Sequence, residues 1–192
     1  GVEVMLAFWL GTEVLLSWAA TLVFTLLMAV EFGVGRWLSP RLLLYAITHN
    51  PVVGLLGVVG WSCTTAVWRP NFIWYLGAIS LGSLAFEFGR KIHLPDEETE
   101  GVASYSSVLG REGASWVLRT TIMLATGLGL VCCWHLGQEL LGSGPQIGGA
   151  IVVGSGVTGL ALSGPCEGSK KVEGGATLAL LGLMIGLWVA AW

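Results

Sequence analysis

Charged side chains of both signs crowd into residues 86–110, which read F-E-F-G-R-K-I-H-L-P-D-E-E-T-E-G-V-A-S-Y-S-S-V-L-G. Arg90, Lys91 and nearby Arg111 stand there beside Glu87, Asp96, Glu97, Glu98 and Glu100, and the rest of the chain is almost pure hydrocarbon. Carboxylates offer oxygen to a hard cation, and Arg and Lys offer charge-assisted hydrogen bonds to an anion. Such a block is costly at the mouth of an apolar bundle, and it marks the seat of the chemistry. The plainer reading of Glu87 and Lys91 is an i,i+4 ion pair at a helix end, worth about 0.3–0.5 kcal/mol when exposed. For residues 96–100 the plainer reading is a solvated acidic loop.

A second polar group lies within an apolar run. Tyr45 and His49 are one helical turn apart and share a face, and Asn50 follows directly. Polar side chains within a membrane are expensive and face a cavity or a partner. Pro51 cannot donate to the carbonyl of Ile47, so Asn50-Pro51 interrupts the helix ladder. A kink with a hydrogen-bonded histidine is one account; pocket lining is the sharper one. His135, near the outer end of its span, and His93 read as interfacial; a pigment or haem needs a histidine inside the membrane, which His49 and His135 fit only weakly.

The elements that must position these residues follow from composition. Of 192 residues, 54% are hydrophobic and 11% charged, with a mean hydropathy of +0.78; a soluble domain carries roughly twice that charge. Apolar runs of bilayer length without polar alternation predict membrane helices rather than a β-barrel. Six full spans are expected, near 12–32, 41–67, 71–90, 114–136, 147–163 and 175–192, forming one transmembrane domain over 1–192. Residues 1–10 are expected to be the end of a further span that begins upstream. The breaks are Ser39-Pro40, Arg69-Pro70-Asn71, the charged block, Gly142-Ser143-Gly144-Pro145, and the stretch from Gly164-Pro165 to Gly175. Trp37, Trp68, Trp74, Trp116, Trp134 and Trp192 fall at span ends, where an interfacial aromatic belt sits.

Arg36, Arg41, Arg90, Lys91, Arg111, Arg119, Lys170 and Lys171 fall on alternate connections, and Arg69 alone on the other side. The positive-inside rule makes the first set cytoplasmic, with the block at residues 87–112, in an integral membrane protein. Gly54, Gly57 and Gly60, the pair Gly182-x-x-x-Gly186, and the group Gly148, Gly149, Gly154, Gly156 and Gly159 read as close helix packing. Cys63, Cys132, Cys133 and Cys166 lack zinc or disulfide spacing, and nothing points to nucleic acid.

Gly101-x-x-Ser104-Tyr105-Ser106-Ser107-x-Leu109-Gly110-Arg111 resembles the segment after the second acidic motif of UbiA-type intramembrane prenyltransferases. In a divergent bacterial branch of that superfamily, three further features are similar and occur in the same order. They are Glu31-Phe32-Gly33-Val34-Gly35-Arg36-Trp37-Leu38, Tyr45-x-x-x-His49, and Glu87-x-Gly89-Arg90-Lys91-Ile92 running into an acidic turn. The resemblance covers roughly residues 31–113. It implies an all-α polytopic bundle in which the six full spans correspond to spans four to nine of a nine-helix fold. The first acidic motif then lies upstream of Gly1.

The chemistry implied is transfer of a polyprenyl group from its diphosphate to a lipophilic acceptor. Mg²⁺ and cationic side chains stabilise the departing pyrophosphate in such a reaction. Glu87, Asp96 and Glu97 would then be the metal ligands, with Glu97 four residues before Gly101, where the family places an Asp. Arg90, Lys91, Tyr105, Tyr45, His49 and Asn50 would bind substrate. The family's D-x-x-x-D spacing, counted from Glu87, lands on Lys91, which favours direct phosphate binding there or loss of the metal. The alternative is a non-catalytic UbiA-like structural or assembly subunit of a larger membrane complex, one that holds pigments or redox cofactors. Expected partners are membrane lipids, an isoprenoid diphosphate in the first case, and other membrane subunits in the second.

Overall fold

In lipid every backbone N–H and C=O must be satisfied within the chain, so long apolar runs fold as helices. The computed structural model describes residues 1–64, 72–98, 103–139 and 143–191. Its helices are α1 Val2–Leu10, α2 Thr12–Ala29, α3 Gly35–Leu38, α4 Leu42–His49, α5 Pro51–Thr64, α6 Phe72–Gly89, α7 Tyr105–Glu139, α8 Gly144–Leu162 and α9 Ser169–Ala190, with a 3₁₀ turn at Glu31–Gly33. Among the described residues there is no strand. Six helical stretches are long and apolar enough to cross a membrane: Thr12–Ala29, Leu42–Cys63, Phe72–Gly89, Tyr105–Gln138, Gly144–Leu162 and Ser169–Ala190. The protein is an all-α polytopic membrane protein. Its exterior carries exposed Ile73, Met123, Val157 and Trp188, as lipid contact requires.

Two helix starts differ from the sequence expectation. The fourth helix begins at Tyr105, capped by Ser104, but a kink at Gly110 (φ 68°, ψ 161°) breaks its helical path, and the stretch after the kink starts close to the expected residue 114. The last begins at Ser169, not near residue 175, so Lys170, Lys171 and Glu173 ride on its first turns. Trp68, Arg69, Pro70, Asn71, Glu100, Gly101, Gly142 and Trp192 lie outside the described residues.

The chain divides into two compact units, Gly1–Pro70 and Asn71–Trp192. In the second, α8 packs along α9, α6 lies against α7 and α9, and α7 against α8. Glycines set the α8–α9 distance. A Cβ on Gly186 would stand 2.7 Å from the Gly148 carbonyl, and one on Gly159 2.9 Å from the Gly175 carbonyl. Gly182 sits directly on Ser155. These contacts bear out close packing for Gly148, Gly159, Gly182 and Gly186, whereas Gly154 and Gly60 face open space. Ala78, Leu118, Ile122, Val152 and Ala176 form the buried centre of this unit, and Cys132 and Cys133 are buried within it.

In the first unit α1 and α5 both pack on α2. Here α4 and α5 meet at Asn50, whose N–H still donates to the Ala46 carbonyl at 2.9 Å. Asn50 keeps helical torsions (φ −63°, ψ −29°), so Pro51 removes a donor without breaking the path.

Candidate functional site

The charged block begins where α6 ends. Arg90 N–H donates to the Phe86 carbonyl and Lys91 N–H to the Phe88 carbonyl, both at 3.1 Å, so the chain finishes its last turn with both cations beside Glu87. Glu87 holds Arg90 Nε on Oε2 and Lys91 Nζ on Oε1, each at 2.7 Å. Cations at i+3 and i+4 past a carboxylate suit the negative C-terminal end of a helix. Two cations stand against Glu87, and Glu173 on α9 brings a second carboxylate near Arg90. The hydrogen bond to Glu87 raises the Arg90 guanidinium above its usual value, against partial desolvation; Glu173 on α9 adds to the rise.

Tyr105 lies under this group. It is 2% exposed, its ring stands edge-on to Phe88 at 5.0 Å, and its N–H donates to the Lys91 carbonyl at 3.0 Å. Its hydroxyl interacts electrostatically with Glu87 and Arg90. The start of α7 is built by a serine cluster. Ser107 N–H donates to Ser104 Oγ at 2.9 Å and Ser104 N–H to Ser107 Oγ at 3.0 Å, a reciprocal capping box with serine in the usual Glu position. Ser106 Oγ accepts from His93 N–H at 3.0 Å, and Ser104 Oγ donates to Glu98 at 2.9 Å. The loop after Lys91 is thereby pinned to α7.

Of the expected site residues in this unit, Glu87, Arg90, Lys91 and Tyr105 come together, and Asp96 and Glu97 point to other work. Asp96 is exposed. Glu97 accepts from Leu94 N–H at 3.0 Å. A hydrogen bond with Ser169, and then the one from Leu94, hold its carboxyl below the usual range. Among the described residues no three His, Cys, Asp or Glu side chains gather as a metal-binding group. With both Glu87 oxygens on cations and Glu97 taken up by Ser169 and the Leu94 N–H, these three carboxylates as arranged do not by themselves fit Mg²⁺, which needs several free oxygens. The arrangement suits an anion at Arg90 and Lys91.

The first unit carries Tyr45, His49 and Asn50. The Tyr45 and His49 rings stack at 3.9 Å and 16°, and Phe32 stands edge-on to His49 at 5.4 Å. His49 Nδ1 lies 2.8 Å from the Tyr45 carbonyl. The shared face read from the i,i+4 spacing is therefore a direct stack. At the other end of the second unit His135 stacks on Trp74 at 6.3 Å.

Two features were not read from the sequence. The Ser104-x-x-Ser107 box was legible as a capping pattern, hidden by the absence of Glu. The reach of Arg111 was not. Its Nε donates to the Pro165 carbonyl at 2.8 Å and its Nη2 to the Glu167 carbonyl, and Ser115 Oγ donates to the Ser163 carbonyl. Contacts between residues fifty positions apart leave no local signal. Compared with protein-family models, curated proteins and solved structures, the chain matches none.

Proposed function

We propose that this protein is a UbiA-like intramembrane prenyl-diphosphate enzyme, its charged end on the cytoplasmic side of a bacterial inner membrane. The observation that supports it best is the convergence of Arg90 and Lys91 on one carboxylate, above buried Tyr105, at the end of an apolar bundle. Two adjacent cations match the oxygens of a diphosphate, and the polyprenyl tail would lie along the apolar helices. A diphosphate takes over the hydrogen bonds that Glu87 now holds, and the two cations carry the charge that develops as the allylic C–O bond breaks. Tyr45, His49 and Asn50 supply the polar contacts for a lipophilic acceptor.

A second reading is favoured by the same group. Glu87 already satisfies both cations, as it would in a structural subunit of a larger membrane complex. One experiment separates them. Full-length protein in nanodiscs is titrated with geranylgeranyl diphosphate and with geranylgeraniol. The enzyme reading expects the diphosphate to bind at least tenfold more tightly, about 1.4 kcal/mol, and Arg90→Gln with Lys91→Gln to remove the preference. Equal affinities would leave the structural-subunit reading.

A further inference from the structure

His49 is held in one tautomer by its neighbours. The Tyr45 carbonyl can only accept, so Nδ1 at 2.8 Å carries the proton. Thr48 Oγ1 stands 3.3 Å from the same nitrogen, and its own proton goes to the Leu44 carbonyl at 2.8 Å or the Tyr45 carbonyl at 3.0 Å, so it too can accept. In the neutral ring this leaves Nε2 as a bare lone pair. Nε2 is buried and has no hydrogen-bond partner among the described residues. A buried acceptor without a donor is costly, and the site is built as though a donor arrives from elsewhere.

The neighbouring turn shows how one could arrive. Glu31 (φ 50°) and Phe32 (φ 53°) are consecutive non-glycine residues in the left-handed region, which L side chains rarely adopt. Strain of this kind collects at clamps and switch segments. Its result here is to lay Phe32 edge-on against His49 and against Phe24, at 5.4 and 5.5 Å. Tyr45 covers a face of the same ring, stacked at 3.9 Å.

We propose that His49 Nε2 is the acceptor for the hydroxyl of a lipid-soluble molecule such as a phenol or long-chain alcohol, and that Phe32 is the cover that swings off to admit it. The site lies in an apolar span, Leu42–Cys63, so the donor must be neutral; a cation would pay heavily to enter. Relaxation of the Glu31–Phe32 turn opens the histidine. This deepens the acceptor side of the function proposed above and rests on His49 lining a pocket, not on diphosphate binding at Arg90 and Lys91.

Carbethoxylation of His49 by diethyl pyrocarbonate, read by peptide mass spectrometry of full-length protein in nanodiscs, measures access to Nε2, with His93 as internal reference. In the wild type His49 reacts at least tenfold more slowly than His93. Phe32→Ala raises the His49 rate at least tenfold and leaves His93 unchanged. In that variant 4-nonylphenol protects His49 and nonylbenzene, which lacks the hydroxyl, does not. Equal reactivity of the two histidines in the wild type, no effect of Phe32→Ala, or equal protection by both probes would overturn the proposal. Equilibrium dialysis of 4-nonylphenol gives a test that does not depend on the Phe32 variant. Wild type binds at least tenfold more tightly than His49→Phe, which keeps the aromatic stack and removes the lone pair; equal binding overturns the site. Neither result bears on the preference for diphosphate over alcohol, so the two readings fail separately.

Discussion

Both oxygens of Glu87 are spent, one on Arg90 and one on Lys91. An incoming anion must therefore displace a carboxylate, and Glu87 acts as its competitor. Substituting Glu87→Gln removes the competing charge and should tighten binding of inorganic pyrophosphate, measured by calorimetry, about three- to tenfold. Lys91→Gln should weaken it about tenfold or more, since a charge-assisted contact is worth about 1.5–3 kcal/mol. A Glu87 that served as a metal ligand would give the opposite sign in the first variant. Glu97 makes a pH-dependent contact instead. Its carboxyl lies below the ordinary 4.5 because Ser169 and Leu94 N–H bond the charged form. A depressed pKa gives stability that is complete above the unfolded value and is lost as pH falls through the folded one. The Leu94 amide should therefore shift with a midpoint below 4.5 in an NMR titration, and Glu97→Gln should abolish that shift.

At the scale of elements, α7 depends on its cap and α8–α9 on missing side chains. Ser104→Ala removes the Oγ that accepts from Ser107 N–H and donates to Glu98. A lost cap costs about 1 kcal/mol, and faster proteolysis of the loop after Lys91 should reveal it. On α8 and α9 the contrast is internal. Gly186→Val drives a side chain into the Gly148 carbonyl and Val152, while Gly154→Ala enters open space. Overpacking costs about 1–3 kcal/mol or more. At about 2–4 °C per kcal/mol for a chain of this size, Gly186→Val should melt several degrees lower in detergent and Gly154→Ala near the wild type. Equal melting of the two would mean that the α8–α9 contact contributes little. Arg111 ties the start of α7 to the connection between α8 and α9 through two carbonyls, so Arg111→Ala should loosen that connection without touching Glu87.

For the whole molecule the testable quantity is orientation. Seven of the nine Lys and Arg fall on one set of connections or on the helix turns beside them, with Arg119 further inside α7, and cationic loops stay in the cytoplasm. Cys166 is exposed on one of those connections, whereas Cys132 and Cys133 are buried. In a Cys63→Ser background, since Cys63 is exposed as well, a membrane-impermeant maleimide should modify Cys166 only after the cells are opened. Labelling of intact spheroplasts would invert the topology and move the Arg90–Lys91 pair to the outer face, where an intracellular diphosphate could not reach it.

Hydropathy alone determined that the chain is helical, with six stretches among the described residues long and apolar enough to cross a membrane, because satisfying the backbone in lipid admits little else. Spacing alone determined that Glu87, Arg90 and Lys91 meet and that Tyr45 and His49 share a face, since i+3 and i+4 neighbours touch on any helix. Tertiary structure decided the rest. It showed that Glu97 is turned toward Ser169 and that Arg111 grips a connection more than fifty residues away. It alone laid Phe32 on His49, through two left-handed residues that propensity would not choose. Local sequence encodes helices and their faces, but the partner of a side chain depends on which segments pack against it. That choice belongs to the folded chain as a whole.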